Sequence, residues 1–239
     1  MMGKNVLIIG ASGDIGMAIA ERLANEGHHL ILHYHQNKDS MHALRSRLEK
    51  ESILSVLQAD LRHQAGIEKL LQELVFPIDY IIFASGSAHF GLFQDTPEAV
   101  MNDMLSLHVK APWLITRKTL PEMIQRRFGK IIFITSIWGD RGASYEVVYS
   151  SVKGAQNSFV KALAKEVAPS GIAVNAISPG YIETKMNAHL LEADKEALIA
   201  EIPMNRGGLP MEIAHAVQFL LDDQSSYIQG EILNVDGAW

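Results

Sequence analysis

Val6-Leu7-Ile8-Ile9-Gly10-Ala11-Ser12-Gly13-Asp14-Ile15-Gly16 decides the fold. A short apolar run ends at Gly10, and two more glycines follow within the next six positions. Such a run reads as a strand buried on both faces, hence a strand of a parallel sheet. Met17 to Asn25 then has helical spacing. Glycines between a strand and a helix let the chain turn tightly and let a pyrophosphate approach the main-chain amides. The helix N-terminus adds unpaired N–H groups and a positive dipole end. Gly10, Ser12, Gly13, Asp14, Ile15 and Gly16 are therefore the expected anion contacts. A glycine cluster alone is weak evidence, and its place between strand and helix strengthens it.

The same alternation continues outward. Leu30-Ile31-Leu32, Ile53-Leu54-Ser55-Val56-Leu57, Tyr80-Ile81-Ile82-Phe83, Ile131-Ile132-Phe133-Ile134, Ile172-Ala173-Val174 and Ile232-Leu233-Asn234-Val235 read as further strands. Ala65 to Leu74, Pro97 to Arg127 and Val148 to Ala168 have helical spacing. The pattern predicts an α/β fold: a Rossmann-type doubly wound parallel sheet of about seven strands, one domain over 1–239. The stretch 181–206 interrupts the alternation before the last helix and is the expected substrate lid.

Composition narrows the function classes. The chain has 239 residues, 48% hydrophobic and 20% charged, enough for a large core without staples. It contains no cysteine, which excludes disulfides, thiolate metal sites and a cysteine nucleophile. That usage fits a reducing cytosol, the expected location. A net charge of -6 argues against a general nucleic-acid binder. No apolar run approaches the roughly 20 residues of a membrane span, and no signal peptide is read at the start. His28, His29, His33 and His35 lack metal-ligand spacing, so no metal site is expected.

Chemistry concentrates around one strand and one helix. The run Lys130 to Thr135 ends at Ser136, and Tyr149-Ser150-Ser151-Val152-Lys153 follows thirteen positions on (149 minus 136). Tyr149 and Lys153, at i and i+4, share one helix face. A phenol with an ordinary pKa near 10 is a reluctant proton donor, and a cation beside it lowers that value. Tyr149 is thus the expected general acid and base, with Ser136 holding the oxygen that gains charge. Tyr145 has no basic residue four positions on and is set aside.

The glycine turn and the Ser–Tyr-x-x-x-Lys set resemble the short-chain dehydrogenase/reductase family across nearly the whole chain, closest to its 3-oxoacyl-[acyl-carrier-protein] reductase branch. The resemblance implies a nicotinamide-dependent ketone reductase in which Lys153 also binds the nicotinamide ribose. Gly10 and Gly16 match the family's outer glycines, while Asp14 replaces the middle one and either caps the helix or repels phosphate. His108 stands where the family has an asparagine that supports a proton relay to the lysine. It either continues that relay or, if charged, repels Lys153. Phe83-Ala84-Ser85-Gly86 replaces Asn-Asn-Ala-Gly and keeps only the last glycine.

Further cofactor contacts follow from the same resemblance. Asp60 and its neighbour Leu61 match the adenine site. Ala84, Ser85 and Gly86 line the cofactor's path. Pro179, Gly180, Ile182 and Thr184 match the stretch along the nicotinamide. An enzyme for NAD usually places an acid after the second strand. Here Tyr34 and His35 stand instead, with Lys38 near, so NADP(H) is expected over NAD(H). The family also implies a homotetramer paired through 97–127 and 148–168.

Ser87-Ala88-His89-Phe90-Gly91, Ser136-Ile137-Trp138-Gly139 and His108 further resemble a Gram-positive offshoot that reduces a 5-aminopentanone group on a lysine of elongation factor P. The expected substrate is therefore a ketone, borne by acyl carrier protein or by elongation factor P. An acidic pocket favours the second, and a basic mouth the first. A reading of another class is a non-catalytic NADP-binding sensor or scaffold, suggested by the altered positions 14, 83, 84 and 108.

Overall fold

The computed structural model describes residues 3–187 and 192–239. Seven strands form one wholly parallel sheet: β1 (Asn5–Ile9), β2 (His29–Tyr34), β3 (Ile53–Gln58), β4 (Tyr80–Phe83), β5 (Gly129–Ile134), β6 (Ile172–Pro179) and β7 (Ile232–Val235). Their spatial order is β3-β2-β1-β4-β5-β6-β7. The chain winds one way from β1 and the other way from β4. The switch point between those two strands is where such a sheet opens a crevice.

Nine helices flank the sheet among the described residues: α1 (Asp14–Asn25), α2 (Lys38–Arg47), α3 (Gln64–Glu73), α4 (Glu98–Leu105), α5 (Ala111–Arg126), α6 (Trp138–Arg141), α7 (Val147–Val167), α8 (Glu192–Glu201) and α9 (Pro210–Leu221). Alternate strand residues face opposite layers, as a period of two requires. Val6, Ile8, Leu30, Leu32, Ile82 and Ile132 pack with α1 and α9. Leu7, Ile9, Ile31, Ile81, Phe83, Ile131 and Phe133 pack toward α3, α5 and α7. Both sets are buried, which explains why the strands lack polar alternation.

The expected helix over 97–127 is two helices joined by a π-helical turn at Ser106–Lys110. Pro112 supplies a physical reason. It has no N–H to give the carbonyl of His108, four residues earlier. That carbonyl instead accepts from Gln156 Nε2 on α7 at 2.7 Å. The detour turns the His108 side chain into the protein, where it is fully buried. Helix α2 was not among the segments read from sequence, because Lys38–Arg47 is mostly polar. It buries only Ser40, Met41 and Leu44.

Candidate active site

A cleft of about 650 Å³ lies over the C-terminal ends of β1, β4, β5 and β6. Its floor is the glycine turn. Gly10 has φ +89, and a Cβ there would lie 2.5 Å from the Ser85 backbone, so only glycine fits. A Cβ on Gly16 would lie 2.2 Å from the Gly10 carbonyl oxygen. Gly13 is the N-cap of α1 and offers no side-chain cap, which leaves first-turn amides toward the cleft. The expected contacts Gly10, Ser12, Gly13, Asp14, Ile15 and Gly16 all line it. This cradle fits a pyrophosphate. His33, fully buried beneath it, accepts from the Gly10 amide through Nδ1 at 3.3 Å. Its Nε2 lies 3.1 Å from the Ala59 carbonyl oxygen. Burial pushes this imidazole down to about 4, so it is a neutral brace.

Asp14 neither caps α1 nor points idly at solvent. Its Oδ2 accepts from the main-chain N–H of Lys185 at 2.6 Å, tying the nucleotide loop to a 3₁₀ turn at Lys185–Asn187. Thr184, Lys185, Met186, Asn187 and, from α8, Leu198 line the cleft from this side. Residues 188–191 of the expected lid lie outside the described residues. Asp14→Asn keeps an acceptor for Lys185 but removes a negative charge beside the anion cradle. It should tighten NADPH binding several-fold in a fluorescence titration. Asp14→Gly also removes the tie and should speed NADPH release in stopped flow.

The catalytic candidates come together at the inner wall. Ser136 follows β5, and its Oγ accepts from the Trp138 amide at 3.2 Å. Tyr149 and Lys153 stand one turn apart on α7. Lys153 Nζ is fully buried, donates to the Ile134 carbonyl at 2.9 Å and lies 5.6 Å from the Tyr149 ring centre. Burial pulls its ammonium down to about 7. The expectation that Lys153 lowers the Tyr149 pKa is not met in the cofactor-free protein. Burial pushes the phenol up to about 12, against the pull of a hydrogen bond with Ser136, and the Glu146 charge adds to the rise. Burial of both groups outweighs the attraction between them.

His108 meets the Tyr149 ring edge-on, with centres 5.9 Å apart. Its Nε2 lies 3.0 Å from the Ser87 carbonyl oxygen, and its buried Nδ1 has no partner among the described residues. Burial first, then the neighbouring Lys153, push the imidazole down to about 3. The histidine is therefore neutral at physiological pH, which removes the repulsion considered from sequence.

At the adenosine end, His35, Asp60, Leu61, Ala84, Ser85 and Gly86 line the cleft, as do Pro179, Gly180, Ile182 and Thr184 at the nicotinamide end. Tyr34 and Lys38 do not. They face a separate surface hollow with Met41, His42, Arg45, Val56 and Gln58. The reason is the turn after β2, where Asn37 caps α2 and carries Lys38 onto that helix. Sequence reading missed Arg62, Phe90, Glu146 and Trp239, all of which line the cleft. Trp239, the last residue of the chain, meets Trp138 edge-on with centres 5.1 Å apart. Only folding brings these residues together. The one local signal was Arg62 two positions after Asp60. Among the described residues, no group of three His, Cys, Asp or Glu side chains is placed to hold a metal ion. No helix among them is long and apolar enough to cross a membrane.

Comparison with known proteins agrees with this geometry. A family profile described as enoyl-(acyl carrier protein) reductase matches residues 10–238. The uncharacterized oxidoreductase YmfI of Bacillus subtilis is 48% identical over 240 residues, covering 100% of this chain and 99% of its own. The 3-oxoacyl-[acyl-carrier-protein] reductase FabG of Aquifex aeolicus is 34% identical, covering 100% of this chain and 98% of its own. Among solved structures, a 3-oxoacyl-(acyl-carrier-protein) reductase of Agrobacterium tumefaciens with NADP bound superposes with a TM-score of 0.90 at 26% identity. It covers 100% of this chain and 95% of its own. The fold, the glycine cradle and these relatives together place the chain in the short-chain dehydrogenase/reductase family, in its 3-oxoacyl-[acyl-carrier-protein] reductase-like branch, as an NAD(P)-dependent oxidoreductase.

Proposed function

We propose that this protein reduces a ketone to a secondary alcohol with NADPH, Tyr149 being the general acid. The observation that carries the reading is the phenol held at about 12 and hydrogen-bonded to Ser136 at the inner wall of the cleft. A phenol that keeps its proton at neutral pH is a donor, suited to an oxygen that gains charge. When bound, NADPH supplies the hydride. Ser136 orients the carbonyl oxygen and stabilises it as charge builds. Lys153 holds the nicotinamide ribose, and the amides of the glycine turn hold the pyrophosphate. His108, neutral and with Nδ1 open as an acceptor, carries the relay that serves Lys153. The segment 181–206 acts as the lid. NADP is chosen over NAD because no acid follows β2 and His35 lines the adenosine end.

The substrate class follows the branch: a 3-oxoacyl group on acyl carrier protein. A second reading is favoured by Glu146. Its carboxylate lines the substrate end together with the rings of Phe90, Trp138 and Trp239. A carboxylate among aromatic faces suits an ammonium group. The 5-aminopentanone group on elongation factor P carries one. NADPH oxidation with acetoacetyl carrier protein and with modified elongation factor P separates the two. Turnover only on the carrier protein sustains the first. Turnover only on elongation factor P sustains the second, and Glu146→Gln should then cut kcat/KM about tenfold, the value of one charge-assisted contact. NADPH binding with turnover on neither, nor on a panel of other ketones, would point to the sensor or scaffold.

We also propose a homotetramer paired through α4, α5 and α7. Leu105 and Trp113 are half exposed there, and Trp113 stacks on Phe159 with centres 6.0 Å apart. Light scattering should give four times the 26.4 kDa chain mass, and a monomer mass would refute the assembly.

A further inference from the structure

We infer that Arg62 sets the preference for a 2′-phosphorylated nicotinamide nucleotide by cancelling the charge of Asp60; the inference rests on the NADP reading above. An acid at the adenosine ribose selects a free 2′-hydroxyl and repels a phosphate. No acid follows β2, yet Asp60 reaches the same corner from the end of β3. Its Oδ2 lies 3.3 Å from Nε2 of His35, the basic residue expected to meet the 2′-phosphate. Left bare, Asp60 would oppose the cofactor that His35 favours.

Arg62 removes that opposition. Its guanidinium clamps both carboxylate oxygens, with Nε at 2.9 Å from Oδ1 and 3.2 Å from Oδ2, and Nη2 at 2.7 Å from Oδ2. Its own main-chain N–H also donates to Oδ1 at 3.1 Å. A fork on a carboxylate is the geometry that arginine provides and lysine cannot. Nη1 faces Asp103 at 3.8 Å, which holds the guanidinium from its other side. Arg62 and Asp60 both line the cleft, so the neutralised pair faces the cofactor. Lys38 cannot substitute, because it opens onto a different hollow.

The test is the ratio of kcat/KM with NADPH to kcat/KM with NADH, at pH 8 and low salt. Arg62→Gln should lower this ratio about tenfold or more, because a dianionic phosphate then meets an uncancelled carboxylate. Arg62→Lys should keep part of the ratio, having charge without the fork. Asp60→Asn combined with Arg62→Gln should restore it, since neither charge remains. Equal losses with both cofactors on Arg62→Gln would overturn the inference and make Arg62 a support for the adenine ring. A double variant no better than Arg62→Gln would overturn it too. If the unmodified protein prefers NADH, the NADP reading fails. The change in ratio on Arg62→Gln still decides the role of Arg62.

Discussion

Tyr149→Phe should cut kcat about a thousandfold while NADPH binds with nearly unchanged affinity. The substitution removes one hydroxyl, the only group at the inner wall placed to hand a proton to the new alkoxide. General acid catalysis contributes about 10²- to 10⁴-fold, which sets the size of the loss. The fold should tolerate it. The ring packs against a small cluster of Met104, Val109 and Val152, contacts that phenylalanine keeps. The hydroxyl is buried and bonded to Ser136, so its removal changes stability by only about 1 kcal/mol. Steady-state rates on the true ketone, paired with a fluorescence titration of NADPH, separate lost chemistry from lost binding. Normal turnover would show that another group supplies the proton.

The sheet was legible in the sequence because buried parallel strands must be continuously apolar, and all seven runs became strands. The strand ends were less legible. β6 extends to Pro179, past the apolar run that marked it, because Asn175 pairs with the Ile228 carbonyl and the Glu231 amide rather than ending the strand. Ser136, Tyr149 and Lys153 were legible because their spacing on one strand and one helix is itself the geometry. Arg62, Glu146 and Trp239 were not, since their meeting in one cleft depends on the whole winding of the chain. The electrostatics were legible only in part. Sequence shows that Lys153 is beside Tyr149, but not that both lose water, and the lost water decides the direction of both shifts.

Lys153→Met should abolish turnover and yet raise the melting temperature of the cofactor-free protein at pH 7. Burial lowers the Lys153 ammonium from 10.5 to about 7, so the folded protein holds this proton far less firmly than the unfolded chain does. Between about pH 7 and pH 10.5 the unfolded chain binds a proton here that the folded protein has released. Stability from this group therefore rises with pH across that window, and its cost is greatest at and below about pH 7. Methionine fills similar volume without that cost, a gain of a few kcal/mol. Against it stands the Ile134 carbonyl, which loses its donor at about 1 kcal/mol. The balance favours the variant by several degrees at pH 7, and the advantage should shrink toward pH 10. Thermal unfolding at the two pH values reads the effect directly. A lower melting temperature at pH 7, or a difference independent of pH, would mean that Lys153 is not held against its own hydration. A lysine that destabilises its own fold is retained for chemistry. The same substitution should lower kcat/KM with NADPH at least a hundredfold, because it removes the cation that holds the ribose and faces Tyr149 as charge develops.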